Sequence, residues 1–256
     1  MERIPTLPSD AFQPAGLAQP GPGGSPIDAV LLRLDSPVLP LATAALEIAE
    51  RLRTKLMGIH KRLMGDGRKV SPLFSGKTHG APNKDHLHLY IFPGSKDQVR
   101  IDRILLVSPK RPFRLDELQA VHCLHSLWQS EGRPDIKCVV AGQGSSDQLR
   151  CPAKKAVSVT PFVAPRHSRR GRGVPWLLAE VRRECRNHGL PEPISIEPMP
   201  SPPGVFQWIE FRRCRKNGPS RPGYGFRLQF AQKVMTPFSI GYGAHFGLGQ
   251  FAAEES

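Results

Sequence analysis

Histidine and aromatic side chains recur at every second position of one short stretch, Asp85 to Pro93. Successive side chains of a β-strand point to opposite faces, so His86, His88 and Tyr90 are expected on one face, with leucine and isoleucine on the other. An imidazole has an unperturbed pKa of ~6.5 and can exchange a proton near neutral pH. The aliphatic face predicts burial in a core. The histidine face predicts either contact with a substrate or an ordinary, half-exposed sheet surface.

Other histidines compete for such a role. His60 lies in a basic stretch just beyond Gly58, at the predicted end of the first helix, where it either acts on a substrate or is simply solvated. His79 falls in a predicted loop, and His122 borders an apolar helix stripe, which favours a place at the edge of the core. No Cys or carboxylate spacing supports a zinc site with these histidines. The sequence therefore predicts neither a metal nor a cofactor.

The overall charge indicates the kind of partner. The 256 residues carry a net charge of +14 with a pI near 10.1. This favours a polyanion, nucleic acid before membrane, because no basic amphipathic helix stands out. No apolar run approaches the ~18 residues of a membrane span, and the first residues lack the apolar core of a signal peptide. Five scattered cysteines argue against a disulfide framework, so a cytoplasmic location is expected.

Two stretches are candidates for phosphate contact. One is a basic loop, which either binds the RNA backbone or is a solvated charged surface; its arginines are Arg166, Arg169, Arg170 and Arg172. The other is the glycine-rich stretch 241–251. Its glycines permit positive φ and close backbone approach, so that its N–H groups could cradle a phosphate, although a plain structural turn is the alternative. The residues that could contact a phosphate in this way are Gly241, Gly243, His245, Gly247 and Gly249.

The elements that must position these residues alternate along the chain. Over 27–150 their order is β-α-β-β-α-β, which is a ferredoxin-like unit. Its helices cover one sheet face, and RNA-binding modules of this shape use the other. The predicted elements are a strand at Ile27–Leu34, a helix from Pro40, the histidine strand paired in a hairpin with Arg100–Val107, a helix whose apolar stripe runs from Leu115 through Val121 to Trp128, and a strand at Ile136–Ala141.

The second half repeats part of this pattern less regularly. A helix is predicted at Trp176–His188, ended by Gly189 and Pro191. The strands predicted around it are Ala156–Val163, Ile194–Glu197, Val205–Arg213, Tyr224–Phe230 and Val234–Ile240. We therefore expect an α+β chain with three parts: a flexible, Pro- and Gly-rich tail at 1–26, a ferredoxin-like domain at 27–150 and a second one at 151–256.

Three features together resemble a known family. They are the strand Asp85–His88 leading to Phe92 and Pro93, the segment Val159–Phe162 followed by Arg166 and His167, and the ending Gly241–Phe251. The chain resembles the RAMP proteins of CRISPR systems over roughly residues 27–251, and the glycine-rich ending is the most specific part. The best match is the Cas-six-like half of the type I-U (I-G) subunit, in which a Cas-five-like and a Cas-six-like domain are fused. Here only the Pro- and Gly-rich tail precedes that half, which predicts a stand-alone version or a fragment.

The resemblance implies tandem ferredoxin-like domains and a repeat endoribonuclease that needs no metal. The 2′-OH of RNA attacks the adjacent phosphate and leaves a 2′,3′-cyclic phosphate, a step that requires a base and an acid. His86 and His88 are the candidates, Tyr90 would position or donate a proton, and His60 is the main rival. The implied partners are CRISPR repeat RNA, the crRNA product and other Cas proteins of a type I effector complex. The alternatives are a non-catalytic crRNA-binding RAMP subunit and, from composition alone, a ribosome- or tRNA-associated protein.

Overall fold

The chain is represented by a computed structural model, which describes residues 26–65, 69–78, 81–82, 88–129, 134–166, 173–201, 206–214 and 221–254. Within these ranges, no helix combines the length and apolar character needed to cross a membrane. The helices are α1 (Ala45–Met64), α2 (Pro72–Ser75), α3 (Leu115–His122), α4 (Ser146–Leu149) and α5 (Gly173–Asn187). The strands are β1 (Ala29–Asp35), β2 (Lys77–Thr78), β3 (Ala81–Pro82), β4 (Tyr90–Gly94), β5 (Arg103–Val107), β6 (Ser126–Leu127), β7 (Ile136–Gly144), β8 (Cys151–Ser158), β9 (Ser195–Met199), β10 (Gly225–Thr236), β11 (Phe238–Ser239) and β12 (Gln250–Ala253).

The first sheet has the strand order β4-β5-β1-β7-β6, and all its pairs are antiparallel. Read along the chain, β1, α1, β4, β5, α3 and β7 form a β-α-β-β-α-β unit with β1 and β5 in the centre. This is the ferredoxin-like arrangement that the sequence predicts. Helices α1 and α3 share one apolar core with the sheet, to which Leu32, Leu52 and Val121 each contribute a buried side chain.

The second sheet repeats the arrangement with one change. Its order is β11-β12-β8-β10-β9, so that β8, β9, β10 and β12 take the places of β1, β4, β5 and β7. Helix α5 crosses between β8 and β9, and its buried Leu177 and Val181 pack against Phe226 and Leu228 of β10. Between β10 and β12, where the first unit has α3, the chain forms β11 and the glycine-rich loop instead. The tandem ferredoxin-like fold is thereby confirmed.

The sequence predicts that alternate residues of the histidine strand lie on opposite faces of the sheet. This is confirmed for the residues of the strand that the structure describes. Leu89 and Ile91 belong to the core beneath α1 and α3. Tyr90 and Phe92 lie on the opposite face, in a separate apolar cluster. Ala244 of the glycine-rich loop belongs to this second cluster. The histidine-bearing face of the strand therefore meets the second unit of the same chain.

Three local predictions are wrong. Helix α1 continues through Gly58 to Met64, so His60 lies inside a helix and is only 1% exposed. The predicted apolar stripe of α3 is wrong at both ends. Leu115, the first residue of the helix, is 83% exposed, and the helix ends at His122, so that Trp128 lies outside it and is 61% exposed.

The predicted strand Val205–Arg213 also differs. Its described part, 206–213, contains a 3-10 helix at Trp208–Glu210 and pairs with no strand. The Trp208 indole lies over Gly225, where a Cβ would approach the ring to 2.5 Å, and its Nε1 donates to the Met199 carbonyl at 3.2 Å. The segment thus packs across the sheet by its large ring and does not extend it.

Candidate active site

Four ring side chains from distant parts of the sequence meet where the two units join. Tyr90 is the first residue of β4, His88 lies two residues before it, and His188 follows directly after α5. His245 belongs to a 3-10 turn, Ala244–Phe246, in the glycine-rich loop. We call His88, Tyr90, His188 and His245 the histidine cluster.

His245 lies at the centre of the cluster. Its ring stacks on that of His88 with 4.6 Å between centroids and 23° between planes. Its centroid is 4.1 Å from that of Tyr90 and 6.3 Å from that of His188. Gly76 supports the His88 ring from behind, because any Cβ there would lie 2.5 Å from His88 Nδ1. The His88 ring therefore contacts both the Gly76 backbone and the His245 ring.

A hydrogen bond connects the cluster to α5. The Tyr90 hydroxyl lies 2.6 Å from Nδ1 of His188, and Nε2 of His188 is 3.8 Å from a Glu184 carboxylate oxygen. Burial raises the pKa of Tyr90 well above its ordinary value; the Arg150 guanidinium opposes this rise, and the Glu184 carboxylate adds to it. The phenol therefore stays protonated at neutral pH, and it can donate to His188 when Nδ1 of that ring carries no proton.

The glycine-rich loop carries His245 to β4 by close backbone packing. Gly243 and Gly247 bracket the 3-10 turn with φ of +73° and +75°, a region that L side chains other than glycine rarely adopt. A Cβ on Gly247 would lie 2.5 Å from the Pro93 ring of β4. Phe246 and Leu248 on either side are buried in the core of the first unit. The loop thus completes that core while it presents His245 on the other strand face.

Most donors of this loop already have partners within the chain. The Tyr242 N–H donates to Val163 at 2.8 Å and the Gly249 N–H to Pro161 at 2.9 Å. The other N–H groups with internal carbonyl partners are those of Ile240, Ala244, Phe246 and Leu248. A phosphate cradle built from these groups would have to break the loop. The RNA contact of Gly241, Gly243, Gly247 and Gly249 stays a prediction, and their role in packing is what the structure establishes.

A basic cavity of about 540 Å³ adjoins Tyr90 and His188. Four of the described residues that line it are basic and one, Asp28, is acidic; the basic residues are Lys110, Arg150, Arg186 and Lys233. Arg150 lies between the units and donates to the carbonyls of Met235 at 2.6 Å and Pro237 at 3.1 Å. Burial lowers its pKa to about 10, against the nearby acidic groups, so it remains charged at neutral pH.

His60 does not belong to the histidine cluster. Its Nε2 is 3.0 Å from Asp116 Oδ2, and its ring meets Phe74 edge-on at 5.7 Å. Burial alone would raise the pKa of Asp116, but hydrogen bonds from Arg114 and His60 outweigh it and lower the pKa to about 2. These contacts give His60 a structural role in holding α3 against α1.

The remaining sequence predictions divide in two. Arg166 is described, and its guanidinium pairs with Glu180 of α5 at 3.1 Å. The residues that lie outside the described ranges are His79, His86, Arg169, Arg170 and Arg172. In the described part of the chain, no group of three or more His, Cys, Asp and Glu side chains is placed to hold a metal ion.

Sequence reasoning missed His188 and Arg150. His188 was read only as the last residue before the helix stop at Gly189. A histidine at a helix C-terminus has a sufficient local explanation in the helix dipole, so nothing near it in the sequence indicates that α5 ends against β4. Arg150 similarly follows a short helix with no neighbouring basic residue.

Comparison with known proteins finds solved structures of similar fold. No family model matches the chain, and no curated protein gives a significant match. Among solved structures, a crystal structure of Cas6b aligns with 88% of this chain and 99% of its own, with a TM-score of 0.50 and 10% identity. A Cas6 product complex (TM-score 0.43, 14% identity, 90% of this chain and 99% of that one) and Csf5, a type IV Cas6 crRNA endonuclease (0.39, 12%, 89% and 100%), also align. The likeness to Cas6b is one of fold and extends over both units.

Proposed function

We propose that the chain is an endoribonuclease that processes CRISPR precursor RNA within its repeats and uses protein side chains for the proton transfers. The observation that carries this proposal is the histidine cluster, in which imidazoles from both units meet a protonated phenol beside a basic cavity. The shared fold with Cas6b and the charge of +14 support RNA as the substrate.

The reaction needs two proton transfers. A neutral imidazole takes the proton of the 2′-OH, and the resulting oxygen attacks the adjacent phosphorus. The bond from phosphorus to the 5′-oxygen breaks, and an acid protonates that oxygen. The products are a 2′,3′-cyclic phosphate and a 5′-OH. Proton transfer of this kind contributes about 10²–10⁴-fold to a rate.

The stacked pair His88 and His245 fits the two proton roles. Two positive charges at a ring separation of 4.6 Å repel each other, so the pair disfavours double protonation, as a scheme with one base and one acid requires. Tyr90, protonated and hydrogen-bonded to His188, positions His245 through the close contact of their tilted rings. The cationic groups of the adjoining cavity, Arg150 foremost, stabilise the charge on the phosphorane. His60, buried against Asp116, takes no part in this scheme.

The test is cleavage of CRISPR repeat RNA by the full chain in EDTA. Cleavage should persist and should leave a 2′,3′-cyclic phosphate. A 2′-deoxy substitution at the scissile nucleotide should abolish it, because the nucleophile is removed. A strict requirement for a divalent metal, or cleavage of the deoxy substrate, would overturn the mechanism.

A non-catalytic crRNA-binding subunit is the second candidate. It is favoured by the close ring contacts of His245 with His88 and Tyr90, since rings packed in this way also serve to join two units. A variant that combines His88→Ala with His245→Ala separates the two functions. Unchanged processing with intact RNA binding would assign the cluster to structure and the chain to crRNA binding.

The finer assignment follows from the resemblance of the sequence. We propose the chain to be the Cas-six-like half of a type I-U (I-G) subunit, which keeps its crRNA in a cytoplasmic effector complex with other Cas proteins. Product retention tests this assignment: after a single turnover, the cleaved repeat should co-elute with the protein. Rapid multiple turnover with free product would contradict retention.

A further inference from the structure

A second groove runs along the outer face of α1, and the proposed cleavage chemistry makes no use of it. Its volume is about 890 Å³. The groove includes residues of both units, because Arg212 of the second unit lines it and donates its N–H to the Thr43 carbonyl at 3.1 Å. The groove residues used below are Glu47, Glu50, Arg51, Arg53, Lys55, Gly58, Arg62, Trp128 and Arg212.

The lining is cationic. Five of the residues named above are Arg or Lys, whereas two are Glu. One of the two, Glu47, is an ion-pair partner of Arg51 and of Arg212, the latter at 3.3 Å. Lys55 and Arg62 lie on the exposed side of α1. The surplus of positive charge favours an anionic occupant.

Trp128 forms one wall of the groove with its indole in solvent. Its side chain is 61% exposed, although a buried position would be favoured for so large an apolar group. The Arg51 guanidinium lies 4.7 Å from the centre of the ring and donates to the Trp128 carbonyl at 3.0 Å. An indole fixed upright beside arginines is a platform on which a nucleobase can stack.

Gly58 opens the floor of the groove. It lies in the interior of α1, where glycine weakens a helix relative to alanine. Among the described residues, none has an atom within 4 Å of the position that an added Cβ would take. The missing side chain therefore leaves the helix backbone open to a ligand at this point of the groove.

From these observations we propose that the α1 groove binds single-stranded RNA. A base stacks on Trp128, the sugar-phosphate backbone passes over Gly58, and Lys55 and Arg62, on the exposed side of α1, contact phosphates. The inference rests on the proposed function only in taking RNA as the ligand, and it adds a binding site for an unpaired strand beyond the cleavage site.

Binding of a 12-nucleotide oligouridylate to the full chain tests the platform. The probe has no repeat sequence and no hairpin, so it reports on the groove without requiring specific cleavage. Trp128→Ala should weaken binding at least about fivefold, because stacking on an aromatic ring is lost. Trp128→Phe should restore most of it. Leu115→Ala, at an exposed apolar residue outside the groove, should bind like the parent.

A matched pair of charge variants tests the phosphate contacts. Arg62→Gln should reduce the log–log salt slope of oligouridylate binding by ~0.7, the value for one phosphate contact on a single strand. Arg33→Gln removes the same charge from an exposed position in β1 and should leave the slope unchanged. Equal slopes for the two variants would show that the charge acts only through the net field and would overturn the phosphate contact.

Gly58 provides the sharpest control. Gly58→Gln should leave the thermal unfolding midpoint equal or higher, since glutamine is the better helix former, and should weaken oligouridylate binding by obstructing the groove. A merely structural glycine would give no such separation. Binding within twofold of the parent in both Trp128→Ala and Gly58→Gln overturns the proposal. So does the finding that these variants lose only the capture of another effector-complex protein.

The outcomes separate this proposal from the function of the site. If the groove variants lose oligouridylate while the parent never cleaves repeat RNA, the groove stands and the nuclease assignment fails. If the parent cleaves repeat RNA in EDTA and the groove variants bind oligouridylate as it does, the nuclease stands and the groove proposal fails.

Discussion

The two units of the molecule share a strand order and differ in how they return to their last strand. The first unit passes through α3 before β7, whereas the second passes through β11 and the glycine-rich loop before β12. A helix covers its own sheet. The loop instead extends to the neighbouring unit, where it buries Phe246 and Leu248 in that unit's core and places His245 on β4. The histidine cluster therefore includes the segment in which the second unit differs from the first.

The histidines of the two regions differ in the same way. His60 belongs to the first unit. It is buried there, where it contacts Asp116 and Phe74 of the same unit. His88 and His245 come from different units and meet only through the loop. A histidine inside one unit is explained by packing, whereas a pair formed across units has partners that neither unit provides alone. The predictions below test this difference, beginning with the largest expected effect.

The loop should tolerate no side chain at Gly249. Its φ is +59°, and a Cβ would lie against the Ile240 carbonyl, far inside contact distance. Gly249→Ala should therefore cost more than about 4 kcal/mol, the range of rare, severely destabilising substitutions, measured by urea denaturation. Gly189→Ala is the matched control, because Gly189 has a φ of +72° and nothing within 4 Å of an added Cβ. It should cost only about 1–2 kcal/mol; equal losses would refute the role of close packing.

The cross-unit pair should carry the cleavage rate. His88→Ala and His245→Ala should each lower single-turnover cleavage of repeat RNA by about 10²–10⁴-fold, and the double variant should lose little more, because the two act as one unit. His122→Ala is the control. His122 lies in the first unit and pairs with Gln143 at 2.9 Å, so its loss should leave the rate unchanged. A full rate with either single variant would remove that histidine from the mechanism.

Tyr90→Phe tests whether burial raises the pKa of the Tyr90 hydroxyl. At neutral pH the variant should lose about 0.5–1.5 kcal/mol with its hydrogen bond to His188. Because the folded pKa of Tyr90 is raised, its contribution is complete below the unfolded pKa of ~10 and declines as the pH rises above it. The stability gap between parent and variant should therefore narrow from pH 10 upward in urea titrations. A gap that is constant with pH would contradict the raised pKa.

Asp116→Asn should give the smallest effect and confine it to the first unit. The folded pKa of Asp116 is about 2, against ~3.9 in an unfolded chain. Its contribution is therefore present above pH ~4 and lost as the pH falls toward 2. At neutral pH we expect a loss of about 1 kcal/mol, after allowance for partial exposure and screening. Repeat cleavage should stay at the parent rate; a large loss of activity would return His60 to the list of catalytic candidates.

Sequence alone predicts what is local. The alternation in β4 separates Ile91 from Tyr90, and the structure places them in two different cores. The same reasoning places Phe226, Leu228 and Phe230 of β10 on one buried face. The alternation of residue types predicts these faces because each strand packs one face against helices, and every second residue on that face must then be apolar.

What depends on contact between the units is not predictable in this way. The positions of His188 and Arg150 depend on where α5 ends and β8 begins relative to β4, and no short-range pattern in the sequence indicates this. Trp128 was assigned to a buried stripe because its spacing suits a helix, but α3 has already ended at His122. His245 was found through the family resemblance of the loop, and its stacking on His88 follows only from the assembled fold.

The position of β12 has a consequence for synthesis on the ribosome. This strand completes the second sheet beside β8 and β11, and the loop that carries His245 is held between β11 and β12. Contacts between distant segments form late, because loop closure precedes them. A nascent chain can thus fold its first unit early, yet it cannot assemble the histidine cluster until residues 250–253 have left the exit tunnel. Any ribonuclease activity at this cluster would then be delayed until translation has passed that point, so the growing chain would not cleave RNA near its own ribosome.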